Sequence, residues 1–211
     1  MRILAIDTAA ALCAACVYDT QAGELGRQVL DLGKGHAERL MGVIDAALAN
    51  AGTAYADIDA IAVSVGPGSF TGVRVGVATA RGLALALKRP AIGISTLEAL
   101  AAEAHEAEPG RPVFVRIEAG RGQAYVAGFG EDGAQTVSPS AVTLEEAERL
   151  ARDPEGQMLV SGKTTADIIT YARLGVDRLS SGAFEKPKPL YLRDADAKPQ
   201  AAFALPRKAV P

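Results

Sequence analysis

The stretch from Ala60 to Lys88 constrains this chain more than any other. The apolar run Ala60-Ile61-Ala62-Val63-Ser64-Val65 leads into Gly66-Pro67-Gly68-Ser69-Phe70-Thr71-Gly72-Val73-Arg74, and an alanine- and leucine-rich segment follows to Lys88. The order reads as strand, glycine turn, helix, because glycine admits positive φ and close backbone approach at a sharp bend. The first turn of such a helix offers unpaired N–H groups and the positive end of a dipole, which suit a phosphate or carboxylate. The spacing Gly66-x-Gly68-x-x-x-Gly72 matches neither the dinucleotide fingerprint nor the P-loop. Two readings stay open: a tight structural turn and an anion cradle.

The segment after the loop, Val73 to Leu87, is apolar almost all round, with Arg74 and Arg81 its only charges. A surface helix carries one apolar stripe and one polar face, so this one needs cover on more than one side. Either it sits centrally in a large core, or one face packs on a sheet and the other meets a partner chain. Those charges, with Lys88, also interrupt the best candidate for a membrane span, so no membrane association is expected.

Hydrophobic residues make up 49% of 211 residues, enough for a sizeable core. A net charge of −3 and a pI near 5.5 are unlike a dedicated nucleic-acid binder. Basic residues nevertheless dominate from Lys186 onward, where six cations face only Asp194 and Asp196. Met1 to Asp7 brings an acid where a signal peptide stays apolar, so the chain is expected in the cytoplasm. Cys13 and Cys16 form a C-x-x-C pair inside a strand-like run. Their odd separation sends the thiols to opposite faces, and His36 and His105 add too little for zinc, so both are read as structural. No metal site is expected.

Arg2 to Thr8, Leu12 to Asp19 and Glu24 to Leu32 read as three strands, an opening meander foreign to the dinucleotide fold. Asp7 and Thr8 end the first strand, where they could face a metal–phosphate group or cap the turn. His36 to Ala51 is expected as a helix with Leu40, Val43, Ile44 and Ala47 on one face. Ser95-Thr96-Leu97-Glu98 and Thr143-Leu144-Glu145-Glu146 are capping boxes opening two further helices. The break at 107–112 suggests one domain over 1–106 and a smaller one over 107–193, with a loose tail over 194–211. The second part repeats the plan: strands over Val113–Glu118 and Gln123–Phe129, a third after Gly133, then a helix to Arg152. A strand over Met158–Ser161 and a helix over Thr165–Leu174, stopped by Gly175, complete it.

Ile6-Asp7-Thr8-Ala9, the Gly66–Arg74 stretch, Gly93-Ile94-Ser95-Thr96-Leu97 and Pro189-Leu190-Tyr191-Leu192-Arg193 together resemble the bacterial TsaB (YeaZ) family. That resemblance implies an α/β, actin-like (sugar-kinase/heat-shock ATPase) fold of two domains, each a mixed sheet flanked by helices. It implies service in the synthesis of threonylcarbamoyladenosine beside the tRNA anticodon, as a non-catalytic partner of the related transferase TsaD. The ATPase TsaE would dock on the pair, tRNA would be met only through the complex, and the isolated chain would form a homodimer. TsaD-like chains carry a His-x-x-x-His metal pair where this sequence has Thr96 and Leu100. The family's second-domain motif is replaced here by Glu118-Ala119-Gly120-Arg121-Gly122-Gln123-Ala124-Tyr125.

Two groups of residues follow. Asp7, Thr8, Gly66, Gly68, Ser69, Thr71 and Gly72 are the candidate nucleotide or anion loop. His36, Leu40, Val43, Ile44, Ala47, Val73, Arg74, Val77, Arg81 and Ala84 are the candidate partner interface. No intrinsic cofactor is expected, with ATP or ADP held weakly or at the complex interface. The competing reading is an actin-fold enzyme in its own right, an ATP-dependent phosphotransferase or a peptidase-like hydrolase. A phosphotransferase needs Mg²⁺-holding carboxylates in a cleft, for which Asp7 and Glu118 are the available acids.

Overall fold

The computed structural model describes residues 1–152, 158–182, 184 and 186–193. The expected tail over 194–211 lies outside them. Strands β1 (Arg2–Asp7), β2 (Leu12–Asp19) and β3 (Gly23–Asp31) form the opening meander, followed by helix α1 (His36–Asn50), β4 (Ala60–Ser64), α2 (Phe70–Leu87), β5 (Ala91–Ile94) and α3 (Thr96–Ala107). The second set runs β6 (Val113–Gly120), β7 (Gln123–Phe129), β8 (Gln135–Thr143), α4 (Leu144–Ala151), β9 (Met158–Val160) and α5 (Ile168–Ser181).

The first sheet has the order β3-β2-β1-β4-β5 and the second β8-β7-β6-β9. In both, the first three strands are antiparallel neighbours and the strand that follows the helix lies parallel to the first. The shared order is the actin-like α/β plan. Every residue of β1 from Ile3 to Asp7 is buried because both faces of the sheet are covered. Leu4 and Ile6 point into a core with Leu40 and Ile44 of α1 and Ile61 and Val63 of β4. Ile3 and Ala5 point the other way, into a core that continues through Leu97 and Leu100 of α3 to Val113 and Val115 of β6.

The helices cross between the sheets. Helix α3 packs on β6, β7 and β9, whereas α5 packs on β1, β2, β4 and β5. Gly175 makes the second crossing close, since a Cβ there would stand 2.8 Å from the Ala62 Cβ. This corrects the expectation that Gly175 stops a helix over Thr165–Leu174. The helix begins at Ile168, capped by Asp167, and ends at Gly182, whose φ is 69°. Glycine serves there as a contact surface, not as a terminator. Ser95 and Thr143 cap the two helices where expected, Ser95 Oγ accepting from Leu97 N and Thr143 Oγ1 from Glu146 N, while the Glu98 and Glu146 side chains pair with Arg178 and Arg149 in place of closing the boxes.

Cys13 and Cys16 fall in the two opposite cores, both free and fully buried. Burial, with the Asp7 charge behind it, pushes the Cys13 thiol up to about 11, and burial pushes Cys16 up to about 12, Glu24 adding to it. Below pH 9 folded and unfolded chains hold the same thiol protons. Above it the unfolded chain sheds protons that the fold retains, so stability falls by about 1.4 kcal/mol per thiol per pH unit. Urea midpoints are expected to drop from pH 9 towards 11, and less steeply in a Cys13→Ala/Cys16→Ala variant. Equal slopes in the two proteins would contradict this.

Candidate functional site

Asp7 ends β1 and is 1% exposed. Its Oδ1 accepts from Ala9 N at 2.9 Å and from the Ser64 hydroxyl, and its Oδ2 accepts from Thr165 Oγ1 at 2.6 Å. The Thr165 hydroxyl is in turn 2.7 Å from the Tyr171 hydroxyl. Burial, reinforced by the neighbouring Asp7 charge, holds the Tyr171 hydroxyl well above the ordinary phenol range. The carboxylate therefore joins β1, β4, the β9–α5 loop and α5 around one buried point, with both oxygens occupied by the chain's own donors. Thr96 lies buried beside Tyr171 and Leu100 is buried in the α3 packing.

The glycine loop meets the turn after β1. Thr8 Oγ1 donates to Gly72 O at 2.8 Å, and Ser69 N donates to Ala9 O at 2.6 Å. A Cβ on Gly68 would stand 2.1 Å from Ala9 O, and one on Gly72 2.0 Å from Thr8 O. Two of the three motif glycines thus let the loop and the helix start touch the carbonyls of the β1–β2 turn. Gly66 adopts φ 87° at the bend and hands its carbonyl to Thr96 N at 2.8 Å. Ser69 caps α2 by accepting from Gly72 N at 3.3 Å, and Thr71 is exposed in the first turn. Asp7, Thr8, Gly68, Ser69 and Gly72 are thus brought together at the β1–β2 turn, with Gly66 at the bend before them and Thr71 on the exposed first turn of α2.

A cavity of about 910 Å³ opens beside this junction. One wall is the Ala9–Ala11 turn and the start of α2; the other is the β6–β7 hairpin with Glu118 and Tyr125. The residues that replace the family's second-domain motif thus face the glycine loop across the space. The segment 186–193 crosses between the walls as a strap. Leu190 N donates to Val65 O at 2.8 Å, and Arg193 Nη1 donates to Ala119 O at 3.0 Å. At its middle, the Tyr191 ring lies 5.6 Å from the Phe70 ring, and the Arg74 guanidinium sits 3.7 Å over Phe70 while its Nε donates to the Tyr191 hydroxyl at 2.6 Å. Phe70 and Tyr191 remain 53% and 51% exposed.

Of the ten residues expected at a partner interface, seven point inward: His36, Leu40, Val43, Ile44, Ala47, Val73 and Val77 are buried. This corrects the sequence expectation for them. The richest apolar stripe of each helix is the one that covers the sheet, which leaves smaller residues outside. His36 fills a structural place, its Nε2 3.2 Å from Leu12 O. Arg74 and Arg81 are exposed and Ala84 is half-buried. The outward side of the pair instead shows Met41 and Gly42 on α1 and Ala78, Gly82, Leu85 and Ala86 on α2, with Leu85 82% exposed. Sequence reading missed Phe70, Ser64, Thr165, Tyr171 and Tyr191 as site residues. Ser64 and Phe70 lie in the Ala60–Arg74 stretch and Tyr191 in the Pro189–Arg193 motif, but neither carries a hint of where the strap lands.

The sequence pattern of the family described as TsaD, tRNA N6-adenosine threonylcarbamoyltransferase, matches residues 31–175. The chain is 38% identical over 132 residues to the tRNA threonylcarbamoyladenosine biosynthesis protein TsaB of Escherichia coli, a match covering 63% of this chain and 56% of that protein. It is 34% identical over 211 residues to an uncharacterized protein of Mycobacterium tuberculosis, covering 94% of this chain and 95% of the relative. The fold is that of YeaZ from Pseudomonas aeruginosa, with a TM-score of 0.77 at 24% identity over 90% of this chain and 99% of that one.

Proposed function

This chain belongs to the TsaB (YeaZ) family, and from that premise we propose that it is a non-catalytic partner subunit for a TsaD-type transferase. In that role it promotes transfer of a threonylcarbamoyl group to the adenosine beside the tRNA anticodon. The observation that carries the reading is the state of Asp7. A phosphotransferase needs carboxylates free to hold Mg²⁺ beside the transferred phosphate. Here its oxygens accept from Ala9 N, Ser64 and Thr165, and Gly68 and Gly72 of the loop lie against the Ala9 and Thr8 carbonyls. Transfer chemistry then resides in the partner.

The outward side of α1 and α2 supports the docking half of the proposal. Small residues there let another helix approach closely, and Leu85 and Met41 supply apolar anchors. Helix α2 is long and apolar enough to cross a membrane, with 28% of it buried. Its Gly72, Val73, Gly76, Val77 and Ala80 are packed inward, so a protein partner fits its free side better than a bilayer does. The same side would pair two copies of the chain when TsaD is absent, and TsaE would join the assembled pair.

Isothermal titration of the isolated chain with ATP, with and without Mg²⁺, tests the non-catalytic assignment. The expected result is binding that is weak or undetectable and indifferent to Mg²⁺, since the Asp7 carboxylate is engaged by three donors of the chain itself. Submicromolar, Mg²⁺-dependent binding accompanied by turnover would make the chain an enzyme in its own right.

A further inference from the structure

The stack of Phe70, Arg74 and Tyr191 does more than tie the strap to α2. A purely structural tie gains from burying its rings, yet both rings are about half exposed at the edge of the 910 Å³ cavity. Arg74 spends its Nε on Tyr191 and its guanidinium face on Phe70. Arg74 is exposed and its guanidinium keeps further N–H donors beyond the Nε bond, the kind of group that recognises a phosphate. The start of α2 adds the positive end of a helix dipole at the same place. Across the cavity Glu118 is exposed, an acceptor facing a ring platform.

We propose that this cavity binds one unpaired nucleotide of a single-stranded RNA segment, with the base stacked against Tyr191 and Phe70, the phosphate on Arg74, and a base amino group donating to Glu118. Aromatic and guanidinium faces stack bases without regard to sequence, whereas the acceptor at Glu118 favours bases that carry an exocyclic amine. The site differs from a metal–triphosphate site because it does not use Asp7, and one arginine matches one phosphate. A lone nucleotide contact is weak, which suits an RNA already held by a partner subunit. The choice of RNA over a free nucleotide rests on the proposed role in tRNA modification; the stacking site itself does not.

The chain contains no tryptophan, so the fluorescence of 2-aminopurine, which stacking quenches, reports base binding directly. An RNA octamer with one central 2-aminopurine is titrated with the isolated chain, alongside the same octamer annealed into a duplex and with AMP as competitor. The expected result is saturable quenching of the single strand only, about tenfold weaker in Tyr191→Ala. Arg74→Gln is expected to weaken binding and to flatten the salt dependence by about one phosphate contact. Circular dichroism and urea midpoints establish that both variants are folded. Absence of quenching overturns the proposal, as does equal quenching by folded Tyr191→Ala and Arg74→Gln proteins. Competition by AMP at the octamer's own half-saturating concentration assigns the site to a free nucleotide and overturns the RNA assignment. None of these readings depends on TsaD, so failure of the stacking site and failure of the partner role are separable.

Discussion

Asp7→Ala is expected to cost about 2–6 kcal/mol of folding stability, because the buried Ala9 N–H and Ser64 hydroxyl lose their acceptor together with the half-buried Thr165 hydroxyl, and each unpaired buried donor costs about 1–3 kcal/mol. Ala9 N sits in the tight turn and has no freedom to look elsewhere, whereas the Ser64 and Thr165 hydroxyls can rotate, which sets the lower bound. Typical domains hold only about 5–15 kcal/mol, so the variant is left close to unfolding. Asp7→Asn keeps one acceptor oxygen, and its amide can donate to a hydroxyl that turns to accept, so its loss is expected to be smaller. Urea denaturation of the three proteins measures this directly. A fully stable Asp7→Ala protein that had lost Mg·ATP binding would return the carboxylate to ligand chemistry and remove it from the fold.

Charges on the two sides of the α1–α2 pair are expected to behave oppositely. Leu40 is 1% exposed in the core under the first sheet. Leu40→Asp buries an uncompensated carboxylate and opens a cavity, and is expected to cost more than about 4 kcal/mol or to prevent folding. Leu85 stands in solvent, and Leu85→Asp is expected to change stability by no more than about 0.5 kcal/mol. The same substitution puts a charge at the centre of the proposed docking side and is expected to weaken association with TsaD by about thirtyfold or more, the scale of an anchor residue worth 2 kcal/mol. Urea denaturation of the chain alone and titration calorimetry with TsaD read the two effects separately. Unchanged affinity in a folded Leu85→Asp protein would move the interface off these helices.

Legibility from sequence followed the physical strength of each local signal. The turn at Gly66–Gly72 was readable because strand, glycines and helix each follow from local rules, and the helix caps at Ser95 and Thr143 were readable for the same reason. The opposite placement of Cys13 and Cys16 followed from strand periodicity alone. The outward side of α2 was not readable, because its alanines, glycines, valines and leucines give no polar face to orient the helix. Nor was the role of Gly175: a glycine late in an amphipathic run reads as a stop, and only contact with Ala62 reveals it as a packing surface. The crossing of α3 and α5 between sheets leaves no local trace, since each helix needs only some apolar surface opposite it. The nature of the glycine loop was undecidable for a sharper reason. The same lack of Cβ atoms admits a phosphate or another stretch of backbone, and here Gly68 and Gly72 lie against the Ala9 and Thr8 carbonyls while Gly68 and Ser69 also border the open cavity.

The strap over 186–193 gives the account its unity. It pairs with Val65 at the end of β4, stacks on α2 through Tyr191, and reaches the β6–β7 hairpin through Arg193. It thereby joins the first sheet, α2 and the second sheet's β6–β7 hairpin at the edge of the cavity.

The most direct test is the rate of threonylcarbamoyladenosine formation in tRNA by purified TsaD and TsaE, with this chain supplied, omitted or replaced by Leu85→Asp. The account predicts a rate that depends on the chain, falls to background when it is left out, and stays low with the folded Leu85→Asp protein. An undiminished rate in its absence, or product formed by this chain with neither of the other subunits present, would contradict it.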